Sequence, residues 1–278
     1  MDDYPVKVGS MLFTMVDPNP GYEVAYNRWY ERDHFYAGCM IGPWLFAGGR
    51  WVAPRVLKDL RFPQDSPVAE PVDAGSFLSI YWHLKDKRDE HGEWALPQVR
   101  YLYANGRGFN ERTHRHTNVY QFESAAYPGG DGVPVELALD HHYPGLGVVF
   151  IEPQGDATRE DLARWLDAEA IPALLATGAV GSVSTWSAYA VPAGDAPAPE
   201  PGVQAAPGSP GGASLGTNGG SPDRLVQLAF LEEDPVSVWD AFRDYAKTID
   251  AGGVGKVTFA APFFATVVGT DTYTDQLW

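Results

Sequence analysis

Two stretches of this chain carry the same helix 136 residues apart. Arg28-Trp29 recurs as Arg164-Trp165, Ala37 as Ala173 and Gly42 as Gly178, while the acidic pair Glu31 and Asp33 answers to Asp167 and Glu169. A constant offset across a helix and its exit turn predicts one protein built twice. Whatever fold the chain adopts must then supply the same elements, in the same order, in both halves.

The element order is consistent with this. Residues 8–17 form a short apolar run closed by Pro18, Asn19, Pro20 and Gly21, which predicts a buried strand and a turn. Over 22–37, Tyr22, Ala25, Tyr26, Trp29, Asp33 and Tyr36 recur at helical spacing. A strand over 44–54 carries the pair Gly48-Gly49, suggesting a bulge or a close approach of another backbone. Residues 56–74, with three prolines, read as a surface insertion. The run 76–84 alternates as a strand, 94–107 fits a helix, and 114–124 is a last strand placing His114, His116, Asn118, Tyr120 and Phe122 on one side. This is the split βαβ order β-α-β-β-α-β. It starts again with strand 146–153, a helix opened by Thr158 and Asp161, strands over 180–191 and 225–233, a helix from Pro235 to Gly252, and a strand in 255–269. The Ala/Gly/Pro-rich segment 193–223 reads as a mobile loop.

The expected fold class is therefore α+β: two tandem ferredoxin-like βαββαβ repeats packed sheet to sheet as an intrachain α+β barrel. Residues 1–127 form the first repeat, 128–144 a linker and 145–278 the second repeat. A ferredoxin-like sheet has helices on one face only, so its other face needs a cover. Two such sheets facing each other cover both faces and enclose a space, a natural ligand cavity.

Composition narrows the function. A formal charge of −16 repels phosphate backbones and anionic membranes, so neither nucleic acid nor a membrane is an expected partner. Cys39 is the only cysteine, which excludes an intramolecular disulfide and fits a reducing cytoplasm. No apolar run approaches a membrane span, and the start of the chain lacks a signal-peptide pattern. GxGxxG, P-loop, GxSxG and HExxH motifs are absent, which weakens the dinucleotide, nucleotide, serine-hydrolase and zincin readings together.

The stretch YNRWYERDHFYAG (26–38), leaving a first strand and entering a second through Gly42-Pro43, resembles the helix-one motif of the dimeric α+β barrel superfamily, closest to its EthD-like branch. The resemblance implies an aromatic–Tyr–acidic–x–x–His pattern whose histidine, here His34, points toward a cavity. The superfamily it implies includes cofactor-free monooxygenases, polyketide cyclases, isomerases, aldoxime dehydratases, haem-degrading enzymes and proteins with no assigned activity.

The halves differ where chemistry is concerned: His34 aligns with Ala170 and Tyr30 with Leu166, so the first half is expected to hold the acid and base groups. The candidate catalytic residues are His34, Tyr30 and Asp33. Arg50, Tyr81, His83, His116, Asn118 and Tyr120 are candidates for substrate binding. A histidine at the helix end titrates near neutrality and can shuttle a proton, although it can equally cap the helix. Arg50 could anchor a carbonyl or carboxylate, or form a rim ion pair. The pair His114/His116 could hold a metal, but no carboxylate accompanies it and no metal is expected. The leading expectation is a cofactor-independent enzyme using acid/base chemistry on a small hydrophobic, oxygenated or aromatic metabolite, of cyclase, isomerase, dehydratase or monooxygenase type. Two alternatives stay open. One is a haem enzyme of the same superfamily with His34, His83 or His116 as axial ligand. The other is a non-catalytic small-molecule binding or assembly protein. A homodimer of fused barrels is also open.

Overall fold

The computed structural model describes residues 5–188 and 222–278. Most of the segment expected as a mobile loop, residues 193–221, lies outside the described residues. The frame is eight strands: β1 (Val8–Pro18), β2 (Leu45–Val52), β3 (Phe77–Leu84), β4 (Arg112–Ala126), β5 (Gly145–Pro153), β6 (Val180–Ala188), β7 (Leu225–Leu231) and β8 (Gly255–Ala265). The helices are α1 (Glu23–Trp29), α2 (Arg55–Lys58), α3 (Arg88–Ala104), α4 (Arg159–Trp165), α5 (Ile171–Leu175) and α6 (Pro235–Gly252). Thr158 and Asp161 cap α4 reciprocally, as their spacing predicts. Both α1 and α4 run on into π-helical turns, Tyr30–Met40 and Leu166–Ala170. The change of helix type falls at Trp29/Tyr30 and again at Trp165/Leu166, the same 136-residue offset.

All strand pairs are antiparallel, and they close into a barrel in the order β1-β3-β2-β8-β5-β7-β6-β4. The first half contributes β4-β1-β3-β2 and the second β8-β5-β7-β6, which is the same order of fourth, first, third and second strand. The two sheets thus join at their edges, β2 to β8 and β4 to β6, so that no strand edge is left over. The expected intrachain α+β barrel is therefore closed as one continuous wall through these two edge pairings.

The space that wall encloses is filled. Phe13 and Phe150 meet across it with ring centroids 5.7 Å apart, and Trp82 stacks on Trp186 at 6.0 Å; all four are fully buried. The segment 56–74, expected on the surface, packs onto this interior near Met15: Leu57, Val68 and Val72 join the barrel core. Arg61 is buried with them and donates to the carbonyls of Ala74 (2.7 Å) and Gly75 (2.8 Å). Near Trp82, the segment preceding β5 adds Val135, Ala138 and Tyr143 to the same core. The ligand cavity expected inside the barrel is therefore occupied by aromatic side chains. The physical reason is bulk: the inward positions carry Phe, Trp, Met and Leu, and eight strands leave an interior just wide enough to be filled by such residues.

The helices cover the outer wall unequally. In the second half α6 lays Trp239, Phe242, Tyr245 and Ile249 onto the sheet, with Phe242 seated directly on Gly147, where a Cβ would collide with its ring. In the first half α3 is nearly as long but buries only His91 and Leu102, leaving Leu96 and Tyr101 exposed. Pro97 interrupts its hydrogen-bond ladder midway. The consequence is visible in β1: Leu12, at the middle of a central strand, is the one residue of that strand not fully covered. Residues 266–278 fold back over α1 and α2, with Leu277 fully buried.

Candidate functional site

The incompletely covered layer of the first half is where the polar residues of the chain gather. Its floor is the outer face of β1, β3 and β4; its wall is α1 and the π-helical turns after it. The sheet register decides which residues face it. Tyr81 lies opposite Leu12, and His83 opposite Ser10, whereas Trp82 lies opposite Met11 and faces the barrel. Tyr81 and His83 therefore face the helices and not the enclosed interior, contrary to expectation. Both faces of β3 are buried, so polarity along the strand does not reveal which side is which.

A bulge corrects a second expectation. Met15 pairs with His116 but Val16 pairs with His114, so Arg115 is the extra residue of the pairing and the two histidines turn to opposite faces. Arg115 uses the bulge to reach Asp17 at 2.8 Å. His116 faces the barrel, its Nε2 lying 2.6 Å from the Tyr120 hydroxyl and its ring edge-on to Phe150 at 5.1 Å. Asn118, opposite Phe13 in register, accepts a hydrogen bond from the Val119 N–H. Hence His116, Asn118 and Tyr120 are separated by the sheet from His34, Tyr30, Tyr81 and Arg50.

Four of the expected residues do come together on the helix side. The hydroxyls of Tyr30 and Tyr81 share a hydrogen bond of 2.8 Å. Burial raises both, Tyr30 to about 12 and Tyr81 well above its ordinary value, so both remain phenols at neutral pH and can donate to an oxygen. The buried Cys39 thiol lies against Tyr81 and is itself pushed up to about 12 by burial, which makes it an inert packing group. Arg50 sets its guanidinium over the Tyr30 ring, 4.7 Å from the centroid, and donates to Asn27 Oδ1 at 3.1 Å. Its Nη1 is 3.9 Å from Glu31, and that pair ties β2 to the helix.

His34 occupies the wall. Its imidazole stacks on Trp29, with centroids 4.6 Å apart and planes within 15°, and meets the edge of Tyr30 at 5.2 Å. Gly38 makes this position possible, because a Cβ there would overlap the imidazole. Burial, and then the positive charge of Arg112, lower the His34 pKa to about 3, so the ring is neutral throughout the physiological range. Among the described residues it has no hydrogen-bond partner, so it does not cap its helix. Asp33 does not orient it: the carboxylate is held by Arg107 in a two-pronged surface pair, which lowers its pKa.

Near His34 lie Trp29 and Arg112, which sequence reasoning passed over as site residues, and His114, which it considered only as a metal ligand. Arg112 donates through Nε to His114 Nε2 (3.2 Å), so the neutral imidazole carries its proton on Nδ1 and donates to Thr117 Oγ1 (2.9 Å). Thr117 and Thr14 are themselves hydrogen-bonded at 2.9 Å. Alternation already puts Arg112 and His114 on one face; what it could not show is that the bulge at Arg115 parts that face from His116.

No group of three or more His, Cys, Asp or Glu among the described residues could hold a metal ion. An axial haem ligand needs a free nitrogen with room beside it, a requirement that His83 and His116 do not meet. His83 is buried, bonded to Ser10 Oγ at 3.1 Å and packed on His91. His116 is enclosed by Phe13, Tyr120 and Phe150. His34 alone among them keeps both nitrogens unbonded, with one ring face on Trp29 and the Nδ1 side near Gly38, so of the three it is the one that could ligate a haem.

With the site described, comparison with solved structures places the architecture. An anthrone oxidase-like protein superposes with a TM-score of 0.50 at 9% identity, over 95% of this chain and 95% of the other. A chlorite dismutase-like protein gives 0.51 at 11% identity, over 98% of this chain and all of the other. A third, a haem complex of a DypB variant from Rhodococcus jostii RHA1, gives 0.48 at 11% identity over 97% and 96%. The fold is that of the ferredoxin-like α+β barrel proteins. At these identities the likeness is one of fold, and the barrel neighbours differ in what they are described to do. No family model and no curated protein matches the sequence. No helix among the described residues is long and apolar enough to cross a membrane.

Proposed function

We propose that this chain is a cofactor-independent enzyme that removes or relays a proton on a small hydrophobic, oxygenated or aromatic molecule, bound between the first half's sheet and its helices. The observation that carries the reading is the unpaired, neutral His34 standing beside the hydrogen-bonded Tyr30–Tyr81 hydroxyls, in the one helix layer that leaves its central strand partly uncovered. His34 enters as a free base and accepts a proton on a ring nitrogen. With its pKa lowered to about 3 its conjugate acid is strong, but an anion forming beside the ring raises its basicity. The Tyr30–Tyr81 pair donates to the substrate oxygen, and the low surrounding dielectric strengthens that bond relative to water. In this reading Arg50 positions Tyr30 rather than touching substrate.

The same proposal includes the history of the chain, a tandem fusion of two ferredoxin-like units of EthD-like type. The 136-residue offset of helix motif and helix type, and the common strand order of the halves, support it. The second half, with Ala170 and Leu166 in place of His34 and Tyr30, closes the barrel and keeps its own helix layer packed.

The test uses enolisation as the elementary step. Wild-type protein is expected to accelerate hydrogen–deuterium exchange at the α-carbon of 2-tetralone in D2O, followed by NMR. His34→Ala should lower that rate ~100-fold or more, and Tyr81→Phe should lower it by a smaller factor. Exchange unaffected by His34→Ala removes the proposal. Haem added to the protein should keep the spectrum of free haem; a new Soret band lost in His34→Ala would replace this reading with the haem one.

A further inference from the structure

Arg112 is a buried cation without a counter-ion. It opens β4, is 4% exposed, and spends its donors on one carbonyl, that of Phe109, and on His114 Nε2. Its guanidinium lies over the Trp29 ring at 4.8 Å and the Tyr103 ring at 5.9 Å. No carboxylate among the described residues pairs with it, and its Nη2, which makes no hydrogen bond within the described residues, keeps some exposure to solvent. The carboxylates nearby in sequence or space are engaged elsewhere: Asp33 by Arg107, Glu31 by the Gly269 N–H and Arg50, Glu111 by Asn19 at 2.8 Å.

The other buried cations are treated differently. Lys58 has Asp17 at 3.9 Å, Arg224 has Glu152, and Arg50 has Glu31 at 3.9 Å, although Nε and Nη1 of Arg50 make no hydrogen bond. Arg61 lacks a carboxylate and leaves its Nε without a partner, but backbone carbonyls take its Nη donors. A buried charge left unpaired is costly, and a chain with a net charge of −16 has carboxylates to spare. Arg112 also touches the Trp29 ring on which His34 stacks, so it belongs to the same layer.

We infer that the ligand of this layer is a planar aromatic molecule bearing a delocalised oxyanion, an enolate, phenolate or carboxylate, and that Arg112 is its counter-charge. The inference rests on the reading of the layer as a ligand site. A guanidinium presents a flat fork of donors that matches such an oxyanion, and it is more weakly hydrated than an ammonium, which suits a site walled by Trp29, Phe109 and Tyr103. An enolate produced by proton loss to His34 would then form beside a cation already in place.

Three probes of similar apolar content separate the possibilities in calorimetric titrations: 2-naphthoate, 4-nitrophenolate and the neutral 2-naphthylmethanol. On wild-type protein both anions should bind about tenfold or more tightly than the alcohol, the worth of one charge-assisted hydrogen bond. Arg112→Gln should abolish that preference and leave the alcohol's affinity in place, while Arg112→Lys should keep part of it. A lowered spectroscopic pKa of bound 4-nitrophenol would mark phenolate over carboxylate chemistry as the better match. Equal affinity for anion and alcohol on wild-type protein, or a preference that survives Arg112→Gln, overturns the inference while His34-dependent tetralone exchange stands. Absence of binding by every probe, together with absence of exchange, overturns the ligand-site reading itself.

Discussion

Four histidines of this protein are held neutral by burial, and that has a consequence for stability as well as for chemistry. His34, His83 and His116 are lowered to about 3 and His114 to about 4, in each case first by burial. An unfolded histidine titrates near ~6.5. Between that value and the folded pKa the unfolded chain binds protons that the native one does not. Stability is therefore complete above ~pH 6.5 and falls as pH drops toward 3–4, by up to ~1.4 kcal/mol per pH unit for each such histidine. Asp17 acts in the same direction. Burial alone would raise its carboxyl, but hydrogen bonds from Ser76 and Gly75 with the charges of Lys58 and Arg115 outweigh it, and the net lowered pKa means stability lost as the carboxylate protonates. Urea midpoints measured from pH 7 to pH 5 should fall steadily, and His116→Phe should flatten the slope. A flat wild-type profile would contradict the neutral burial of these rings.

At the scale of elements, the contrast between α3 and α6 is the structural origin of the site. Both are long, but only α6 carries a stripe of large apolar residues at the spacing a sheet demands, whereas α3 turns His91 and Leu102 inward and interrupts itself at Pro97. Amide exchange should be measurably faster through the second half of α3 than through α6, since an element with few buried contacts opens locally at low cost. Phe242→Ala should cost ~3–5 kcal/mol in chemical denaturation. Tyr101→Ala, on the exposed side of α3, should change stability by less than ~0.5 kcal/mol. Equal protection of the two helices would mean that the first half's layer is as tightly packed as the second's.

For the molecule as a whole, the weak point of closure is the seam between β2 and β8, where only Trp51–Ala265 and Val52–Phe264 are in register; β4 and β6 pair over a longer run. Residues 266–278 brace that seam from outside. Asn27 donates to the Thr270 carbonyl at 3.0 Å, Lys58 to the Leu277 carbonyl at 3.0 Å, and Tyr273 stacks on Phe264 at 5.2 Å. Leu277→Ala should accordingly lower stability by ~2–5 kcal/mol, as for any fully buried leucine, and thermal unfolding should show it as a lower Tm. An unchanged Tm would show that the tail does not hold the barrel shut.

The order of elements, the likeness of the two halves and the concentration of acid/base groups in the first were legible in the residues themselves, because periodicity and a constant offset are local properties of a chain. His34 and Tyr30 were legible as candidates because their counterparts in the second half, Ala170 and Leu166, are apolar. The side of the sheet on which they meet was not. In a barrel coated by helices both strand faces are buried, so alternation loses its contrast, and a single bulge at Arg115 reverses the face of His114 relative to His116. Nor could the sequence show that the enclosed space fills with Phe13, Trp82, Phe150 and Trp186, or that Arg112 is left without a carboxylate. Those depend on which side chains arrive from distant strands, and only the closed tertiary structure brings them together.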